Sequence, residues 1–258
     1  ARLWSVIQAS RGMEQGHIRI AAMDGMVNGL LPELVSRTAS AFPKVSVAIE
    51  ITSPEGAAKG VLNGDFELAA VANVGHQQDL EFHWSRQFPL GVIAAPDHPV
   101  ASLGTISFAE LVTHPVVFQS ASLSIRRLLE ARYGWIFERA KNAVTVNSIQ
   151  LMKLLVQTGC HVAVTSELDA GPEIRTGRLR FVPINDKDAF QQTISLISNS
   201  RMPVSAVSRR IIATALELLE RFSAVPTTRG RARLLQRNSN YQNSCFFFIL
   251  WTGMPPLP

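Results

Sequence analysis

Between residues 16 and 72 the hydrophobic period changes repeatedly, and this succession limits the available folds more than any other feature of the chain. The run IRIAA (18–22) predicts a buried strand. Leu30, Leu31, Leu34, Val35, Thr38, Ala41 and Phe42 then share one side of a helix, with Pro32 tolerated in its first turn. Val45, Val47, Ile49 and Ile51 alternate, which predicts a strand with one better-covered face. Ser53-Pro54-Glu55 supplies an N-cap, a first-turn proline and a first-turn acid, and so opens a second helix that ends near Asn63-Gly64. FELAAVA (66–72) closes the series as another strand. The order β-α-β-α-β demands a parallel sheet with right-handed crossovers.

The rhythm then repeats. A loop with His76, Gln77, Gln78 and Asp79 leads to the strand FPLGVIAA (88–95), and Ser107 to Glu110 forms a capping box before a short helix. VVF is a strand, Ser122 opens a helix carrying Ile125, Leu128, Leu129 and Tyr133, AVTV is a strand, SIQLMKLLVQTG is a helix, and HVAVT is a strand. RFV and ISLIS add strands, and Val207, Ile211, Ile212, Ala215, Leu216, Leu219 and Phe222 mark a long final helix. The fold class is therefore α/β, with two βα modules at about 17–95 and 96–180. Open α/β sheets bind ligands at the carboxyl ends of their strands, so two facing sheets would enclose a cleft. Residues 1–15 place Leu3, Val6, Ile7 and Met13 near helical spacing, as expected for the end of an amphipathic helix with a second chain against its stripe. The chain starts at Ala1 without a methionine, as expected of a piece of something longer. Residues 225–258 run basic, polar, aromatic and then proline-rich without periodicity, and are expected to form an irregular, disordered tail.

With 258 residues and 47% apolar composition there is material for a large core, and 17% charged residues argues against pervasive disorder. The net charge of +5 owes much to Arg221, Arg229, Arg231, Arg233 and Arg237, which read as a solvated basic tail rather than a DNA-reading surface. Two cysteines, Cys160 and Cys245, form no CxxC pair, and Cys160 reads as a small buried hydrophobe; a reducing cytosol fits. No apolar run reaches the roughly 18 residues of a membrane span, and the start does not resemble a signal peptide. No GxGxxG, Walker A or GxSxG sequence occurs, and the histidines include no HExxH. His76 and His83 read as solvent-facing, His161 as a hydrogen-bonded structural residue, and Asp65 with Glu67 as a polar strand entrance. No catalytic residue, metal site or cofactor is expected.

What remains is a set of polar turns, each after a strand: Asp24-Gly25-Met26-Val27-Asn28, Thr52-Ser53-Pro54, Gln119-Ser120-Ala121-Ser122 and Thr165-Ser166. Each is read as a helix start with free N–H groups and short polar side chains, which suits a carboxylate or other small anion. Taken singly, Ser53, Ser122 and Ser166 read as ordinary N-caps. Asp24 sits awkwardly for an anion and is assigned to an amine or hydroxyl of the ligand.

The chain resembles the effector-binding domain of LysR-type transcriptional regulators. The matching stretches are GHIRIA, LLPELVSRTASAFPKVSVAIEI, GVLNGDFELAAV, PLGVIAAPDHPVA and VNSIQLMKLLVQTGCHVAVTS, together spanning about residues 16–222. Gly-Cys-His at 159–161, Thr165-Ser166 and Glu67 depart from the usual pattern. The resemblance implies two Rossmann-like subdomains joined by two crossover strands, periplasmic-binding-protein-like (type 2). It implies an effector-binding domain at 16–224, with subdomain I at about 16–93 plus 193–224 and subdomain II at about 94–192. Residues 1–15 would then be the end of a linker helix. By family habit, effector contacts fall at Gly25, Met26, Ser53, Pro54, Ala72, Asn73, Thr165 and Ser166; the polar-turn argument adds Asp24, Asn28, Ser120 and Ser122. The expected partners are a small-molecule effector, a carboxylate by the polar-turn argument, and further copies of the chain in a homodimer or homotetramer. Operator DNA and RNA polymerase would be reached only through the full-length protein. A cytoplasmic location without membrane contact is expected. A transport solute-binding protein of the same architecture is the rival reading. An enzyme is the less supported one, since it would need convergent catalytic groups.

Overall fold

The computed structural model describes residues 16–186 and 191–223. The expected helix at 1–15 and tail at 225–258 lie outside the described residues, as does Cys245. The chain divides into the units Ala1–Ala224 and Val225–Pro258, and all the described residues belong to the first.

Strand β1 (Gly16–Ala22) leads through a single tight turn at Asp24–Met26 into helix α1 (Leu30–Ala41). Strand β2 (Val45–Ile51), helix α2 (Pro54–Asn63) and strand β3 (Leu68–Ala72) come next, and β1 pairs in parallel with both β2 and β3. The apolar periods account for this order. Leu30, Leu31, Leu34 and Thr38 bury one face of α1, although Val35 and Ala41 are exposed on the side expected to be covered. Burial of side chains such as Leu30 and Leu34 contributes roughly 1.5–3 kcal/mol each. Helix α2 stops where Gly64 adopts a left-handed backbone, φ 81°, which a residue with a Cβ rarely takes.

Strand β4 (Leu80–Ala94) is much longer than the expected run at 88–95. Its first part, as far as Pro89, pairs antiparallel with β9 (Gln191–Asn199), with an irregularity between Phe82 and Trp84. Its last part pairs antiparallel with β7 (Val162–Ser166) and β8 (Arg180–Pro183). One strand thus belongs to two sheets. The first sheet holds β2-β1-β3-β9-β4, and the second extends β4-β7-β5-β6, with β8 also on β4. Strands β5 (Val116–Gln119) and β6 (Val144–Val146) are parallel, as are β5 and β7. The helices of the second half are α3 (Phe108–Leu111), α4 (Ser124–Tyr133), α5 (Trp135–Arg139), α6 (Ile149–Gln157) and α7 (Gly171–Arg175). The return to the first sheet runs through residues 187–190, outside the described set, into β9 and then α8 (Ala206–Ser223).

Each half has its own core. In the first, one layer joins Ile18, Ile20, Leu34, Leu196 and Leu219 between sheet, α1 and α8. The opposite layer joins Ala21, Val61 and Ile197 under α2. In the second, Val92, Phe108, Phe118 and Val164 pack on one face, and Val117, Met152, Val156 and Ala163 on the other. Surface ion pairs tie α1 to α8, with Arg37 on Glu217 and Arg221 on Glu33, both at 3.4 Å.

Three expectations from the sequence are corrected by the fold. His83 does not face solvent: its side chain is 14% exposed and its Nε2 is hydrogen-bonded to Ser198 Oγ at 2.8 Å. Cys160 is only half-buried, because Gly159 turns the chain before β7 begins. His161 is not hydrogen-bonded through its buried Nδ1, which has no partner. It lies near His98, whose ring packs edge-on to His114 at 5.4 Å. Burial pushes the His98 pKa below the usual histidine value; His114 and His161 add to this, and Asp97 opposes it. Burial also lowers His161. A histidine harder to protonate folded than unfolded destabilises the fold as pH drops below the unfolded value, since the unfolded chain then binds more protons. Thermal melts should therefore fall from pH 7 toward pH 5. His98→Asn should flatten that decline while keeping the cap that Nδ1 offers the Val100 N–H. An unchanged acid limb in this variant would remove His98 from the account.

Candidate functional site

A cavity of about 220 Å³ opens between the two sheets. Its walls come from the turn after β1 (Asp24, Gly25), the β2–α2 junction (Thr52, Ser53, Pro54) and the β5–α4 junction (Gln119, Ser122 to Ile125). Asn147, Ile149, Asp169 and Gln192 also line it, with Met23 and Ile51. A dry cavity of about 150 Å³ accommodates benzene, so this one suits a compact molecule.

Of the residues in the predicted polar turns, Asp24, Gly25, Thr52, Ser53, Pro54, Gln119 and Ser122 line the cavity. Ser53 caps α2, its Oγ accepting the Gly56 N–H at 3.1 Å. Asp24 reaches across to the other half, where its Oδ2 accepts the first N–H of α6 from Ile149 at 2.5 Å. It therefore occupies that helix start itself, since a carboxylate is favoured there. Ser122 is not the cap of α4: that position falls to Leu123, which offers no side-chain hydrogen bond. Ser120 and Ser122 instead bond to each other at 2.7 Å, and Ser120 lies outside the lining.

The remaining positions are drawn elsewhere. Met26 and Ala72 are buried in the first core, because the tight turn folds Met26 under α1 and every residue of β3 is covered. Asn28 bonds to Gln150 on α6. Asn73 takes a left-handed backbone and exchanges hydrogen bonds with the Thr193 backbone, pinning β3 to β9. Thr165 and Ser166 do not start a helix; they are the fully buried end of β7.

Thr165 and Ser166 serve a residue that sequence reasoning missed. Thr165 Oγ1 donates to Asp169 Oδ2 at 2.9 Å, and Ser166 Oγ accepts the Asp169 N–H at 3.3 Å. Asp169 is buried at the cavity wall, and its Oδ1 has no hydrogen-bond partner. Burial pushes its carboxyl above the usual aspartate range, against the lowering effect of Thr165, Ser166 and Lys153. Gly25 lies directly against it: a Cβ there would stand 2.0 Å from Asp169 Oδ1. Gln119, the first residue of its predicted polar turn, is buried at the end of β5. Gln192, near the start of β9, was missed; it donates through Nε2 to Ser124 Oγ at 3.0 Å while its buried Oε1 has no partner. Beneath the site, Lys153 of α6 pairs with Glu173 of α7 at 3.0 Å, both buried, and donates to the Asp169 carbonyl at 3.1 Å.

Among the described residues, no group of three or more His, Cys, Asp or Glu is placed to hold a metal ion. Two α/β halves sharing strand β4, with polar helix starts around a cavity between them, define a ligand-binding domain of the periplasmic-binding-protein type.

The sequence model of the LysR substrate binding domain matches residues 11–220, and the chain belongs to that family. Among curated relatives, a probable RuBisCO transcriptional regulator of Synechocystis is 25% identical over 234 residues, which cover 88% of this chain and 67% of that protein. Among solved structures, the regulatory domain of Synechocystis CcmR in complex with 2-PG aligns with a TM-score of 0.64 at 17% identity, covering 79% of this chain and 97% of that one. The effector-binding domain of QuiR in complex with shikimate gives 0.61 at 18% identity, covering 81% and 99%. The family is one of transcriptional regulators, so the chain is an effector-sensing regulatory domain and neither an enzyme nor a transport solute-binding protein.

Proposed function

We propose that the cavity between the two sheets is the effector site, and that a carboxylate of the effector docks on the start of α4. The observation that carries this reading is the pairing of a cavity with an uncapped helix start: Leu123, Ser124 and Ile125 line it, and no side chain caps α4. Free N–H groups and the helix dipole favour an anion there. Ser53 and Pro54 form the facing wall, and Asp24, Gly25 and Ser122 complete the contacts. The acids named with two structural neighbours, 2-PG and shikimate, agree with a small acidic effector.

The domain organisation follows from the same reading. Subdomain I spans about 16–93 plus 193–224, subdomain II about 94–192, and residues 1–15 end a linker helix. Effector binding draws the halves together around the cavity, and in the homodimer or homotetramer this alters the spacing of DNA-binding parts contributed by the full-length protein. That change requires the effector to prefer one arrangement over another. Operator DNA and RNA polymerase are engaged through that full-length protein, in the cytoplasm. Among the described residues, no helix is long and apolar enough to cross a membrane.

A thermal-melt screen against small carboxylates, amino acids and aromatic acids tests the reading. At about 100-fold over its Kd, a ligand adds roughly 2.7 kcal/mol. For a domain of this size that raises the midpoint by about 5–10 °C. A folded protein whose melt responds to no class of small acid would count against the reading.

A further inference from the structure

We propose that the effector is a small zwitterion of the amino-acid type, its carboxylate on the start of α4 and its ammonium among Asp169, Gln192 and Asp24. This rests on the cavity being the effector site, and adds the chemical class of the ligand.

The first ground is charge. Asp24 and Asp169 both line the cavity, and its described lining residues include no lysine, arginine or histidine. The two arginines near the start of α4 are not in the lining, although Arg126 Nη1 donates to the carbonyl of the lining residue Gln119 at 3.5 Å. Arg126 pairs with Glu130 at 2.6 Å and lies 3.5 Å over the Phe137 ring, and Arg127 pairs with Glu55 at 2.9 Å. A dianion would meet two carboxylates and no side-chain cation, whereas a zwitterion carries its own compensating charge.

The second ground is hydrogen bonding. Asp169 Oδ1 and Gln192 Oε1 belong to residues only 3% and 2% exposed, on the wall of the same cavity, and neither atom has a partner. Buried acceptors left unsatisfied are rare and costly. An ammonium donates three hydrogen bonds and accepts none, whereas a hydroxyl donates one. By donor count an ammonium has enough for both acceptors and for Asp24, and a hydroxyl does not. Lys153 does not substitute for the ammonium, because its Nζ is spent on Glu173 and on the Asp169 carbonyl.

The test is calorimetry on the whole chain with each standard L-amino acid, with the α-hydroxy acid matching any amino acid that binds, and with 2-phosphoglycolate as a dianion. An amino acid should bind, and its hydroxy-acid counterpart should bind about tenfold or more weakly, as expected for loss of a charge-assisted bond. Asp169→Asn keeps an acceptor for Thr165, and should weaken the amino acid by about tenfold while leaving the hydroxy acid within about threefold. Gln192→Met, which removes the second acceptor at similar volume, should weaken the amino acid and serves if the first variant fails to fold. Equal or tighter binding of the hydroxy acid or of the dianion overturns the inference, as does the absence of binding by every amino acid. If such a rival ligand is still blocked by Gly25→Trp, the cavity remains the effector site and only the class is wrong. If an amino acid binds Gly25→Trp as well as it binds the parent chain, both readings fall.

Discussion

Replacing Lys153 with alanine will cost the domain about 3–5 kcal/mol, the usual result of removing one partner from a buried ion pair. Lys153 is 2% exposed and Glu173 is 4% exposed. The Glu173 carboxylate holds the lysine at 3.0 Å through Oε1, while Oε2 has no partner. Without Lys153 that charge stays buried with nothing opposite it. The midpoint of thermal unfolding should fall on the order of 10 °C. Lys153→Met combined with Glu173→Leu should recover most of the loss, because removing both charges also removes the cost of desolvating them. A single-variant loss below about 1 kcal/mol would mean the pair behaves as a surface bridge. The pair also matters to the site. Lys153 Nζ holds the Asp169 carbonyl, so the turn after β7 that carries Asp169 is braced by α6 from below.

The second large effect is expected at Gly25. Its backbone is not in the left-handed region, so an alanine is acceptable to the chain itself. The obstacle is Asp169, which lies directly against Gly25. A Cβ at this position would lie 2.0 Å from Asp169 Oδ1, 3.0 Å from its Cγ and 3.6 Å from Met23 Cε. Asp169 has little room to give way, being buried and held through Thr165 and Ser166. Gly25→Ala should therefore prise the turn after β1 away from the second half and weaken effector binding by about tenfold or more. Gly25→Trp should fill the cavity and abolish the ligand-induced rise in melting temperature. The unliganded fold should survive both changes, since the core of each half lies elsewhere. A variant that retains the full ligand shift would place the effector outside the cavity.

The parts of this structure that were legible in the sequence are those set by local rules. The period shifts between residues 18 and 72 reported β1, α1, β2, α2 and β3 because each element buries one face. The Ser53-Pro54 start and the Gly64 stop of α2 were legible because a cap and a left-handed glycine are local chemistry. The first half of β4 was not. The stretch LEFHWSRQ carries five polar residues to three apolar ones, and its pairing partner, β9, lies over a hundred residues away. Thr165-Ser166 and Ser122 were read as helix starts from residue type alone. Their actual roles depend on where Asp169 and Leu123 fall. Asp169, Gln192 and Lys153 were invisible for the same reason: nothing local marks a charged or amide side chain as buried. Asp169 and Gln192 are covered where the two halves meet, and Lys153 where α6 packs on α7 within the second half.

The most direct measurement is a crystal structure of the chain grown with the compound that gives the largest melt shift. The account predicts ligand density between the β2–α2 junction and the start of α4, with a carboxylate at the Ser124 and Ile125 amides and Asp169 within hydrogen-bond reach. Density for the compound anywhere else, with this cavity holding only solvent, would contradict it.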